Sequence, residues 1–185
     1  MTTYKEIFGK YVRNFSSDPS SDIEGQIWYN STSGTFKSQV SLGAAWAAGG
    51  NLNTARELVA GAGTQTVALA IGGYTTANSN ATEEYDGSAW TTGGNLATAR
   101  QAPAGAGTQT TGLAFGGYVT TTVANTEEYD GSTWTAGGNL GTARYQLGGC
   151  GTQTVALAFG GGPPATTATE EWTDPSFGAR KLTTS

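Results

Sequence analysis

The stretch Thr110-Thr111-Gly112-Leu113-Ala114-Phe115-Gly116-Gly117-Tyr118 decides the fold. Leu113 and Phe115 fall on one side of an extended chain, and Gly112 and Ala114 on the other. Before it, Ala102 to Gly107 alternates small residues and turns at Thr108-Gln109. After it come a loop, Val119 to Asn125, and a third strand, Thr126-Glu127-Glu128-Tyr129. Asp130-Gly131 marks a hairpin, because glycine takes the positive φ that tight two-residue turns require. A fourth strand begins near Thr133-Trp134, and Gly137-Gly138-Asn139-Leu140 leads on to the next arginine. Helical periodicity is absent, and glycine at this density would cost a helix about 1 kcal/mol per residue.

The unit occurs three times. Trp46, Trp90 and Trp134 stand 44 residues apart, as do Arg56, Arg100 and Arg144. The same interval separates the pairs Gly72-Gly73, Gly116-Gly117 and Gly160-Gly161. The acidic pairs Glu83-Glu84, Glu127-Glu128 and Glu170-Glu171 follow, the last one residue early. Repeats therefore span 46–89, 90–133 and 134–178, within a repeat region 46–185 that follows an arm, 1–45. Four short strands per unit match one blade of a β-propeller.

An apolar strand ending in Gly-Gly, a variable loop, Glu-Glu-Tyr-Asp, then Trp and a downstream Arg resembles the kelch repeat. It is carried by Leu69-Ala70-Ile71-Gly72-Gly73, Glu83-Glu84-Tyr85-Asp86, Trp90 and Arg100. The second copy keeps Tyr129, whereas the third has Trp172 and lacks the Asp-Gly turn. The resemblance implies an all-β fold of four-stranded, kelch-type propeller blades. The glycine pairs are expected to permit close backbone approach near the axis, and the Trp and Tyr rings to pack between blades. Each Arg is expected to pair with a repeated Glu across strands or blades. Ligand contacts, if present, belong in the unlike loops, at Thr76 and Asn78, Thr121 and Thr122, and Pro163 and Pro164.

In the arm, Tyr4 to Val12 reads as either a strand or a short amphipathic helix, and Asn14 to Asp22 as a polar linker. Gly25 to Lys37 reads as two strands joined by Asn30-Ser31-Thr32-Ser33-Gly34. This hairpin resembles segments near the start of tail-fibre and related appendage proteins of tailed bacteriophages, and the repeat region behind it resembles structural proteins of marine phages. Ile27, Trp28, Tyr29 and Phe36 are its expected docking residues. The alternative is an incomplete blade, with Ile27-Trp28-Tyr29 in the place of Glu-Glu-Tyr.

Composition excludes several function classes. Of 185 residues, 29 are glycine, 12% are charged and none is histidine. Without histidine no Ser-His-Asp or Cys-His site can be built, and imidazole metal centres are impossible. The copper site of kelch oxidases is therefore not expected. Adjacent glutamates in a strand point to opposite faces and make no glycosidase dyad by themselves. Asp86 and Asp130 are expected in turns and not as calcium ligands. The net charge of −5 comes without a basic patch, so no nucleic-acid partner is expected. Nor is there an apolar run long enough to span a bilayer, or a recognisable export signal. Cys150, aligned with Ala62 and Ala106, is expected to be small and buried.

These readings lead to a non-enzymatic virion structural or attachment protein, without cofactor or metal. The expected partners are other virion proteins, a host-surface glycan and further copies of the chain. A sugar-binding or sugar-modifying propeller is the alternative. Closed propellers hold about 4–8 blades, so three blades are expected to be completed in a dimer or trimer, with the hairpin completing a neighbour's sheet.

Overall fold

The computed structural model describes residues 13–18, 27–38 and 44–174. Every regular element among them is a β-strand, and the chain separates into two compact units, 1–47 and 48–185. The segment Tyr4 to Val12 lies outside the described residues.

In the first unit, β1 (Arg13–Phe15) runs parallel to β2 (Ile27–Asn30), which pairs antiparallel with β3 (Thr35–Ser38). Asn14 therefore lies in a strand and does not open the polar linker expected there. Ladder pairing with β2 accounts for it: Asn14 stands opposite Tyr29. Asn30 closes the hairpin turn by accepting from the N–H groups of Thr32 and Ser33 at 3.0 Å. Its own amide donates to Asp18 at 2.8 Å, and Trp28 Nε1 donates to the same carboxylate at 3.2 Å. Lys37 Nζ adds an ion pair at 2.7 Å.

The second unit holds three meandering sheets, one per repeat. The first orders β4 (Ala60–Gly63), β5 (Ala68–Ile71), β6 (Thr82–Tyr85) and β7 (Trp90–Thr92), all antiparallel. The second orders β8 (Ala104–Gly107), β9 (Gly112–Phe115), β10 (Thr126–Tyr129) and β11 (Trp134–Ala136) in the same way. In the third, β12 (Gly148–Gly151), β13 (Val155–Phe159) and β14 (Thr169–Thr173) form three strands among the described residues. The third repeat has no Asp-Gly after Trp172 of the kind that turns the chain into β7 and β11.

The repeat phase read from Trp spacing is offset from the sheets. Trp90 pairs with Tyr85 across β6 and β7, and Trp134 with Tyr129 across β10 and β11. Each Trp therefore closes its sheet and does not begin the next. The ring centroids lie 4.9 and 4.8 Å apart in the two pairs.

Two apolar clusters lie between successive sheets. Leu69 and Ile71 meet Ala114, Tyr129 and Trp134 of the second sheet. Leu113 and Phe115 meet Ala156 and Ala158 of the third. Large residues on the forward face of one central strand thus fill the space left by small residues on the next. A Cβ on Gly112 would stand 2.7 Å from Leu69 Cδ1, so a side chain there would have to displace the tip of Leu69.

Hydrogen bonding holds the Asp18 carboxyl down to about 2, with Lys37 the largest cause, then Asn30 and Trp28. Its folded pKa lies below the ordinary value of 3.8, so its stabilisation is complete above that value and lost as pH falls towards 2. NMR titration should show Asp18 ionising near 2 in the intact chain, and near its ordinary value once Lys37→Ala and Asn30→Ala remove two of its donors.

Candidate functional site: the sheet faces and the loop edge

Each repeated arginine enters its sheet from the segment just before the first strand. Arg56 Nη2 pairs with Glu83 at 2.7 Å, Arg100 with Glu127, and Arg144 with Glu170 at 2.7 Å. The partner is the glutamate of the same repeat's third strand. Nη1 of each arginine also donates to two carbonyls, those of Gly72 and Ala81, Gly116 and Asn125, or Gly160 and Ala168. The guanidinium therefore joins the Gly-Gly end of the second strand to the start of the third. Burial pulls Arg100 below its usual pKa, opposed by Glu127, and an arginine remains charged throughout.

The second glutamate of each pair points away from the arginine. Glu84 Oε1 accepts from Tyr129 Oη at 2.5 Å, linking sheet one to sheet two. Burial, then this contact with Glu84, pushes Tyr129 up to about 12. Glu128 occupies the equivalent place facing sheet three, where Trp172 replaces tyrosine and offers no hydroxyl. Trp172 Nε1 instead donates to Gln153 O at 2.7 Å. Burial, and secondarily Asp174, raise the Glu128 pKa.

Further contacts between sheets repeat faithfully. Gln109 Nε2 donates to Tyr85 O at 2.7 Å, and Gln153 Nε2 to Tyr129 O at 2.7 Å. Backbone bonds run from Ala102 N to Leu58 O and from Gln146 N to Ala102 O. These three residues hold positive φ of 55, 48 and 54°, so Ala102 lies outside the strand expected to start there. The first strands β4, β8 and β12 lie side by side, and a Cβ on Gly105 would sit 2.6 Å from Gly61 O. Backbone crowding is thus found on the first strands, and also beyond the fourth, where a Cβ on Gly94 would sit 2.0 Å from Ser132 O. The pairs Gly72-Gly73 and Gly116-Gly117 serve a different junction, where Gly73 and Gly117 donate to the carbonyls of Arg100 and Arg144.

The glutamines are the residues that the sequence reading missed. Thr64-Gln65-Thr66, Thr108-Gln109-Thr110 and Thr152-Gln153-Thr154 recur at 44 residues, and that spacing was the available signal. Two expected packing positions are corrected. Trp46 is fully exposed, because it has no sheet of its own to close. Cys150 is exposed, because it lies with Leu157 on the forward face of the third sheet, against which the described residues place no further sheet.

The unlike loops all join the second strand to the third. Thr76 and Thr121 are exposed, while Asn78 and Thr122 are half-buried. Asn78 Nδ2 donates to Val119 O at 2.8 Å, so the first two loops are tied together. Pro163 and Pro164 are exposed, both after cis peptide bonds. Asp86 and Asp130 accept from backbone N–H groups two and three residues on, which depresses both carboxyls and commits them to their turns. In the hairpin, Trp28 is buried against its own unit, whereas Ile27 and Phe36 are each 53% exposed. Tyr29 and Phe36 stack at 5.1 Å. Trp28 is therefore a core residue there, and Ile27 and Phe36 are the exposed members of the expected docking set.

No protein-family model matches the sequence, and no similar protein was found among curated sequences.

Truncating a buried ion pair on one side costs about 3–5 kcal/mol. Arg100→Ala should lower stability on that scale in urea unfolding, and Arg144→Ala by less, because the side chain of Glu170 is 28% exposed against 5% for Glu127. A second measurement addresses Glu128. A raised carboxyl stabilises below its unfolded pKa and loses that contribution as pH rises through the folded value. Trp172→Tyr, by restoring a hydroxyl donor, should lower the Glu128 pKa in an NMR titration.

Proposed function

We propose that this chain is a non-enzymatic structural or attachment protein of a bacteriophage particle, a tail fibre or another tail or capsid appendage. On this reading its sheets are kelch-type propeller blades that form a rigid interaction module. The first unit docks to other virion proteins, through Ile27 and Phe36 on its hairpin. The loop edge, from Thr76 and Asn78 to Pro163 and Pro164, meets a host-surface glycan or a neighbouring virion protein. The chain is made in the host cytoplasm and built into the particle.

The observation that carries this reading is how the repeated polar groups are used. Arg56, Arg100 and Arg144 spend their charge on Glu83, Glu127 and Glu170 in the same sheets. Glu84 accepts from Tyr129, and Asp86 and Asp130 cap turns. Chemistry that recurs with the repeat serves rigidity, while the repeats differ in the loops joining the second strand to the third and in the segments 57–60, 101–104 and 145–148 that lead into the first strand. That division suits a scaffold presenting a variable surface.

Antibody raised against the repeat region should label one discrete part of purified phage particles in immunogold microscopy. Particles that carry no label would remove the virion assignment. On a glycan array with a parallel turnover assay, binding without conversion is expected. Conversion of any sugar would instead establish the alternative, a sugar-modifying propeller.

A further inference from the structure

The two sheet-to-sheet contacts inside the chain define a template, and each end of the array carries one half of it, the forward half exposed. The forward face of sheet three carries Val155, Leu157 and Phe159, at 55, 38 and 45% exposure. Leu157 and Phe159 occupy the positions at which Leu69 and Ile71, then Leu113 and Phe115, are buried by a following sheet. The rear of sheet one carries the matching small residues, Ala68 half-buried and Ala70 5% exposed, in the positions of Gly112 and Ala114 and of Ala156 and Ala158. Gln65 is exposed, where Gln109 and Gln153 each reach back to a preceding sheet.

A second mismatch completes the first. Among the described residues sheet three has no fourth strand, and the chain ahead of sheet one carries the sequence of a fourth strand that pairs with no sheet. Trp46-Ala47-Ala48-Gly49-Gly50-Asn51-Leu52 aligns with Trp90-Thr91-Thr92-Gly93-Gly94-Asn95-Leu96, whose first three residues are β7. Trp46 is 104% exposed, whereas Trp134 in the complete second sheet is 8% exposed. The glycines after the strand already behave as they do between sheets. Gly50 N donates to Tyr85 Oη and Trp90 Nε1 to Gly50 O, as Gly94 N does to Tyr129 Oη and Trp134 Nε1 to Gly94 O.

We propose that two copies of this chain join head to tail, the forward face of sheet three in one receiving the rear face of sheet one in the other. Residues 46–48 of the incoming copy add to β14 as its fourth strand, Trp46 opposite Trp172, in the register that pairs Trp90 with Tyr85. Gln65 of that copy donates to the carbonyl of Trp172, as Gln153 does to that of Tyr129. Its Leu58 N–H extends the backbone column through Ala102 to the carbonyl of Gln146. Such an interface joins unlike surfaces, and where the rotation from sheet to sheet closes after six, two copies meet through two equivalent contacts. They place six sheets together, inside the range of about 4–8 found in closed propellers. The inference rests on the repeat geometry alone and does not depend on the virion reading.

Light scattering on the purified full-length chain should give twice the chain mass. Leu157→Glu, a charge at the centre of the forward face, should return it to the single-chain mass, with the circular dichroism spectrum of folded sheet kept. Gln65→Ala and Trp46→Ala should each shift the dimer to dissociate at roughly tenfold higher concentration, or about 1.4 kcal/mol. Directionality is read with a short bismaleimide. Ala68→Cys should cross-link between chains through Cys150, since Ala156 and Ala106, their counterparts, share one cluster between sheets two and three. The unmodified chain, with Cys150 alone, should not cross-link. A single-chain mass for the unmodified protein, an assembly indifferent to Leu157→Glu, or efficient Cys150-to-Cys150 cross-linking would each overturn the proposal. Failure here with labelled particles would leave the virion reading standing, and unlabelled particles with a confirmed dimer would do the reverse.

Discussion

Everything in the repeat region depends on how closely the first strands approach one another. β4, β8 and β12 run side by side with glycine facing the neighbouring backbone, and the space beside Gly105 does not admit a methyl group. Once that spacing is fixed, the central strands can bury only a large residue against a small one. Leu69 and Ile71 against Gly112 and Ala114 is the consequence, repeated one sheet later. The cores are therefore thin layers between sheets, unlike the single interior of a sandwich or barrel.

Thin apolar layers leave polar bonds to fix the arrangement. The arginines anchor each sheet internally, and the glutamines and Tyr129 fix one sheet on the next. The three positive-φ residues Leu58, Ala102 and Gln146 add backbone bonds between sheets at the point of entry. Strain at these positions is repaid by an N–H to carbonyl bond that a strand in its own sheet would not supply. Replacing Tyr by Trp at 172 shows how local the scheme is. One hydroxyl is lost, and one carboxylate, Glu128, is left in a less favourable setting.

Much of this was legible in the sequence. The 44-residue interval gave the sheets and their loops, and the two-residue alternation in Gly112 to Phe115 identified both faces correctly. What escaped the reading has a common cause. Periodicity reports that a residue recurs but not which sheet it serves, so Trp was placed at the start of a unit that it closes. Thr108-Gln109 reads as a turn, because the bond that Gln109 makes lies in a neighbouring sheet. Cys150 aligns with Ala106, but Ala106 is covered by the third sheet and nothing among the described residues covers Cys150. The first unit yielded its hairpin to turn chemistry, but the parallel pairing of β1 rests on long-range contacts that no local pattern encodes.

The strict alternation of large and small faces gives the array a direction, like an arrow. Every sheet has an unlike front and back, so a stack can grow only by whole units added in one orientation. A sequence built this way can change length by duplicating 44 residues without redesigning any interface. Its loops, all on one edge, would then gain a new and independently variable position with each duplication.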